Sequence, residues 1–211
     1  MKNQLHLLGL MSVVGVVMLL GRIVSVENLG GIFLIWNLFL AWIPLGLAYF
    51  TEDLWQRLLI GKRGVVIGVS VWLLFFPNAP YIITDLIHLR AAPESLVWYD
   101  ALMNFSFALA GLLTGFYSLL RVQRLVEKIW NQFSAWIVVS GSLVLSSYGV
   151  YLGRFGRWNS WDILTHPFSL ARYSFSKLYD PLAIQLTLAF SFAMLVIYGA
   201  FWLYTSKKSW Q

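Results

Sequence analysis

Apolar residues fall along this chain in six long blocks, not in the short alternations of a soluble fold. The blocks cover roughly 5–24, 31–50, 64–83, 98–120, 134–153 and 182–204. A helix needs about 20 mostly apolar residues to cross the hydrocarbon core of a bilayer, and each block reaches that length. The links between them are too short or too apolar to fold as separate domains, and no internal repeat or low-complexity tract interrupts them. The pattern predicts an all-α fold: a polytopic membrane helical bundle of about six transmembrane helices, with residues 1–211 as one integral membrane domain. Lys2 ahead of an apolar run has the look of a secretory leader, but no small-x-small cleavage site follows it, so we read the first block as a retained helix.

Polar positions carry more information here than apolar ones. An ionised side chain at the middle of a span costs about 2.5–3.5 kcal/mol, and any polar group there must find a partner. Asn37 lies in the second block and Asn78 in the outer third of the third block. Asp85 and His88 follow just beyond it, Asp100 and Asn104 begin the fourth block, and Gln185 opens the sixth. Ser146, Ser147, Tyr148 and Tyr151 occupy one half of the fifth block, and Arg154, Arg157, Trp158, Asn159, Asp162 and His166 come after them. In a six-span chain all of these lie at one end of the bundle, while the other halves of the spans are nearly bare. This predicts a polar cavity or groove open at that end, capped by the third and fifth links.

Orientation follows from Lys and Arg in the links. Lys2, Arg57, Lys62, Arg63, Arg121, Arg124, Lys128, Lys207 and Lys208 make nine on the side of the termini, against six on the other side. The bias predicts both termini in the cytoplasm and the polar end facing outward. Composition agrees with the membrane reading, with 59% hydrophobic and 11% charged residues in 211 and a mean hydropathy of +0.72. Eleven Trp suit the bilayer interface. Without Cys there is no disulfide, thiolate metal site or cysteine nucleophile. The net charge of +6 belongs to loops beside an anionic leaflet and not to a nucleic-acid patch, since no dense Lys/Arg run exists.

Candidate chemistry sits in two stretches. In Phe76-Pro77-Asn78-Ala79-Pro80-Tyr81 each proline lacks an N–H and disrupts the turn before it, freeing carbonyls near Trp72–Phe76 that Asn78 is placed to satisfy. Such breaks are tolerated where they line a cavity or are buried in protein. A plain helix end explains the stretch equally well. Asp85 and His88, three apart, share a helix face, and Asp162 and His166 are four apart. These pairs could transfer protons or hold a metal. We favour helix caps or partners of Arg90, Arg154 and Arg157 over a metal, and assign no metal site. Asp85, His88 and Asp100 are the candidate acid–base residues. In the second stretch, Ser147, Tyr151, Arg154 and Trp158 form one stripe if the helix continues. Arg154 and Arg157 could clamp a phosphate or carboxylate, with Trp158 and Trp161 stacking on a sugar. Snorkelling arginines and an aromatic belt are the structural alternative. Asn37, Asn78, Asn104, Tyr151, Arg154, Arg157, Trp158, Asn159 and Asp162 are the candidate ligand-binding residues. Residues 167–180 form an amphipathic segment suited to the outer surface. The pairs Gly64/Gly68, Gly111/Gly115 and Gly149/Gly153 are each G-x-x-x-G, which permits close helix packing.

The 76–89 and 147–162 stretches, with Trp36-Asn37-Leu38-Phe39-Leu40-Ala41-Trp42-Ile43-Pro44 and Tyr99-Asp100-Ala101-Leu102-Met103-Asn104, resemble domain-of-unknown-function family 1361. The resemblance implies a bacterial multi-pass membrane protein of about this length and implies no activity; for such a chain we expect the cytoplasmic membrane. Three functions remain open. The first is a membrane enzyme or a protein binding a lipid or other anionic head group. The others are a transporter or channel subunit, and a non-catalytic assembly protein. The bilayer is the one partner the sequence requires; cofactors and oligomeric state are left open.

Overall fold

A computed structural model describes residues 2–27, 29–91 and 94–207, and among these every regular element is a helix. The first block forms α1 (Lys2–Val26) and the second α2 (Phe33–Gln56). The third block is broken. It runs as α3 (Lys62–Phe75), a short α4 (Asn78–Tyr81) and a ten-residue 3-10 helix (Ile82–Ala91). After a second 3-10 turn (Glu94–Leu96) come α5 (Val97–Ile129) and α6 (Gln132–Gly156). Two short helices, α7 (Asp162–Thr165) and α8 (Pro167–Lys177), lead into α9 (Pro181–Lys207). Six helical stretches are long and apolar enough to cross a membrane, the third being 62–87 through the break. An even number of spans puts both termini at one end of the bundle.

α5 is the axis. It packs on α1, α2, α6 and the 3-10 segment, while α9 packs on α6. Its 33 residues would reach about 50 Å at 1.5 Å per residue, well beyond a hydrocarbon core of about 30 Å. Two apolar cores flank it. One joins Trp72, Phe76, Phe116, Leu143 and Tyr198; the other joins Leu19, Leu34, Ile82, Met103 and Phe107.

The helices outrun the blocks at the end that carries the termini, because α2 continues about one turn past Glu52 and α5 about two turns past Arg121. The expectation of nearly bare spans there is therefore corrected. Gln123 is buried and accepts a 2.5 Å hydrogen bond from Tyr198. Arg121 pairs with Glu52 and lies 3.4 Å from the centroid of the Tyr49 ring.

The break in the third span has a local cause. Pro77 and Pro80 cannot donate to the carbonyls four residues back. The Phe76 carbonyl accepts instead from Ala79 N at 3.1 Å, and the Asn78 side chain donates to the Phe75 carbonyl at 2.9 Å. The broken segment is then gripped by two glycine pairs. A Cβ on Gly115 of α5 would lie 2.7 Å from Ala79 Cβ, and one on Gly149 of α6 would lie 2.9 Å from Pro77. Neither distance is sterically tolerable, so these two glycines let the backbones meet.

Candidate functional site

At the end of the bundle away from the termini, α2, the broken span and α6 converge on two adjoining features: a buried polar knot and a cavity. Asp85, on the 3-10 segment, is the centre of the knot and is 1% exposed. Asn37 of α2 donates to Asp85 Oδ2 at 2.7 Å, and Arg154 of α6 lies 3.3 Å from Asp85 Oδ1. Arg154 also donates to the Thr84 carbonyl and to Tyr81 Oη at 3.4 Å, with its guanidinium 5.5 Å from the centroid of the Tyr81 ring. One carboxylate thus draws together three spans. A buried charge needs such a partner to avoid the several kcal/mol that desolvation alone would cost.

The cavity lies beside the knot and has a volume of about 440 Å3. Its walls are Trp36, Asn37 and Leu40 of α2; Leu74, Pro77, Asn78 and Tyr81 of the broken span; and Gly149, Leu152 and Gly153 of α6. The roof is the 157–163 segment with Leu170 of α8. Polarity is graded. Leu40, Leu74 and Leu152 lie about one turn deeper than Asn37, Asn78 and Arg157, so the floor is apolar and the mouth polar.

Arg157 at the mouth and Trp158 in the roof each carry a donor without a described protein acceptor. α6 ends where Arg157 takes a left-handed conformation, with φ 57°. Among the described residues its guanidinium has no hydrogen bond or ion pair, and Arg157 lines the cavity. Trp158 Nε1 is buried and finds no acceptor among the described residues, while its ring packs on Tyr173 with centroids 5.9 Å apart. The stripe expected from a continuous helix therefore stops at Arg154, because the left-handed turn swings Trp158 off the helix and under the roof. Asn78 ties wall to roof by donating to Ser160 Oγ at 2.9 Å.

The remaining candidates are placed elsewhere or engaged locally. Asp100 faces α1 and takes both Arg22 Nε at 2.5 Å and Arg22 Nη2 at 3.0 Å. Asn104 donates to the Asp100 carbonyl at 2.7 Å and keeps a buried, unpartnered Oδ1. Asp162 accepts from the Asn159 backbone N–H at 2.7 Å and lies 3.8 Å from His166 Nδ1. His88 sits on the 3-10 segment, and its side chain lies outside the described residues. Tyr151 donates to Asp180 Oδ2 at 3.1 Å. Lys177 bonds the same carboxylate at 3.0 Å, which holds the Asp180 carboxyl below the usual range and raises the Lys177 ammonium. Among the described residues no three His, Asp or Glu side chains converge as a metal site would need.

Ser160 and Tyr81 were absent from the sequence-based candidates for ligand binding. Ser160 could be found only by knowing that the roof folds over Asn78. Tyr81 was visible as the end of the proline motif.

A family model described as a protein of unknown function (DUF1361) matches residues 36–198, from α2 into α9. No curated protein and no solved structure matches the chain.

Proposed function

We propose that this chain, which belongs to the DUF1361 family, binds an anionic head group, of a lipid or a phosphorylated sugar, in the cavity beside Arg157. The observation that carries the reading is the Arg157 guanidinium, a cation that lines the cavity with no described protein acceptor. A phosphate or carboxylate oxygen would satisfy it, and charge-assisted bonds of this kind are about twice as strong as neutral ones. The graded walls suit an amphiphile with its head at the mouth and its chain toward Leu40 and Leu74. A volume of about 440 Å3 falls within the usual range for small-molecule sites, about 300–1,000 Å3.

The reading is of binding and not of catalysis. Asp85 and Asp100, the two described carboxylates nominated for proton transfer, are each held by an arginine. The charge bias of the links supports a cytoplasmic position for both termini, with the cavity on the outer face of a bacterial cytoplasmic membrane.

Native mass spectrometry of protein released from membranes in mild detergent tests this. Wild-type protein should retain a lipid or phospho-sugar, and Arg157→Ala should lose about tenfold or more of it. That loss corresponds to one charged hydrogen bond of about 1.5–3 kcal/mol. Trp158→Phe, which keeps an aromatic ring and removes a buried N–H that does not face the cavity, should retain the ligand as wild type does. Equal retention in all three proteins, or none in any, would remove the reading.

A further inference from the structure

Helix α8 carries an apolar face that no part of the described chain covers. Phe168 is 88% exposed and Phe175 72%. With Ala171 between them and Leu178 after them, they recur at three- and four-residue spacing on one side. The other side is occupied: Tyr173 packs on Trp158, and Leu170 lines the cavity. An uncovered apolar face of this kind marks an interaction surface.

Its position in the chain selects the occupant. α6 ends at Gly156, ten residues before α8, and α9 begins at Pro181, three residues after it, so α8 is tethered to the ends of two spans. Its apolar side continues through exposed Leu178 and Tyr179 into Leu182, Ile184 and Leu188, exposed residues on the spanning helix α9. Arg172 borders the face, and among the described residues it has no ion pair. A short helix with aromatic residues on one side and a cation at its border, held at the edge of a bilayer, fits the boundary between head groups and acyl chains.

We propose that α8 lies in the plane of the membrane surface with Phe168 and Phe175 inserted among anionic lipids, and that this contact holds the cavity roof at the level of the head groups. The proposal goes beyond the ligand reading and does not depend on it.

The chain contains no Cys, so single cysteines can report depth. Ala171→Cys lies on the apolar face between the intact phenylalanines, and Ser176→Cys lies on the other side; both positions are exposed. Each full-length variant would carry an environment-sensitive dye in vesicles of zwitterionic lipid with about one third anionic lipid. The 171 probe should be quenched several-fold more than the 176 probe by lipid nitroxides near the head group, and less by aqueous iodide. Equal iodide quenching at both sites overturns the proposal. So does shielding at 171 that grows with the protein-to-lipid ratio without nitroxide quenching, because another polypeptide would then cover the face. Retention of a head group by native mass spectrometry alongside either result would leave the ligand reading standing and α8 off the membrane.

Discussion

Arg154 and Arg157 stand three residues apart and enter different chemistry. Arg154 is turned inward to Asp85, Thr84 and Tyr81, whereas Arg157 lines the cavity with no described partner. Breaking a buried ion pair by removing one member costs about 3–5 kcal/mol, while removing both charges costs much less. Arg154→Met should therefore lower the thermal stability of the detergent-solubilised protein sharply. Adding Asp85→Asn should restore most of the loss, with a coupling energy above about 1 kcal/mol in the double-mutant cycle. Additive losses would mean that the pair is not an energetic unit. The sequence marked both arginines as anion-binding candidates, since residue type and spacing are alike for the two. What separates them is the left-handed turn at Arg157, which no composition signals in a residue other than glycine. Asp85 was visible as an expensive charge next to a span. Its partners on α2 and α6 come from 48 and 69 residues away, and local spacing carries nothing about such distances.

At the scale of elements, the third span shows which parts of a fold local chemistry writes. Pro77 and Pro80 predict the break, and Asn78 bonding the Phe75 carbonyl is what its position between them suggests. The 3-10 winding that follows has no comparable signal, because Ile82–Arg90 reads as a continuing helix or a short interfacial helix. The G-x-x-x-G pairs are plain in the sequence, but not the surfaces they meet. Gly111 and Gly115 close on Ile82 and Ala79, and Gly149 and Gly153 close on Pro77 and Tyr81. Both pairs thus serve packing inside one chain. Gly115→Leu should destabilise the protein by about 1–3 kcal/mol, the usual cost of overpacking, and reduce the folded fraction recovered in detergent. Gly46→Ala, where an added Cβ meets nothing within 4 Å, should be neutral or stabilise by up to about 1 kcal/mol. If Gly115→Leu proved silent, the grip on the broken span would be looser than the Gly115–Ala79 approach requires.

For the whole molecule, the six spans were legible because twenty-residue apolar blocks have few alternative explanations, and the polar end was legible because charge in a membrane is costly. The roof was not, since Asn78 meets Ser160 only after the chain has folded back across α6. The nine-to-six charge bias makes a direct prediction about sidedness. In intact cells a membrane-impermeant maleimide should label Thr165→Cys, beside the roof, and should label Gly61→Cys only after permeabilisation; both positions are exposed. The reverse pattern would turn the cavity toward the cytoplasm. The 3-10 segment joins the two flanks of this assembly through Asp85, which reaches Asn37 on one side and Arg154 on the other. With 3.0 residues per turn, Asp85 sits directly above Ile82, and both are 1% exposed. Rewinding to 3.6 residues per turn would rotate Asp85 by about 60° relative to Ile82 and draw it about 1.5 Å closer along the axis. That is enough to break hydrogen bonds of 2.7 and 3.3 Å. The ion pair is therefore matched to the 3-10 pitch of its segment, and an α-helical winding of the same residues would not hold it.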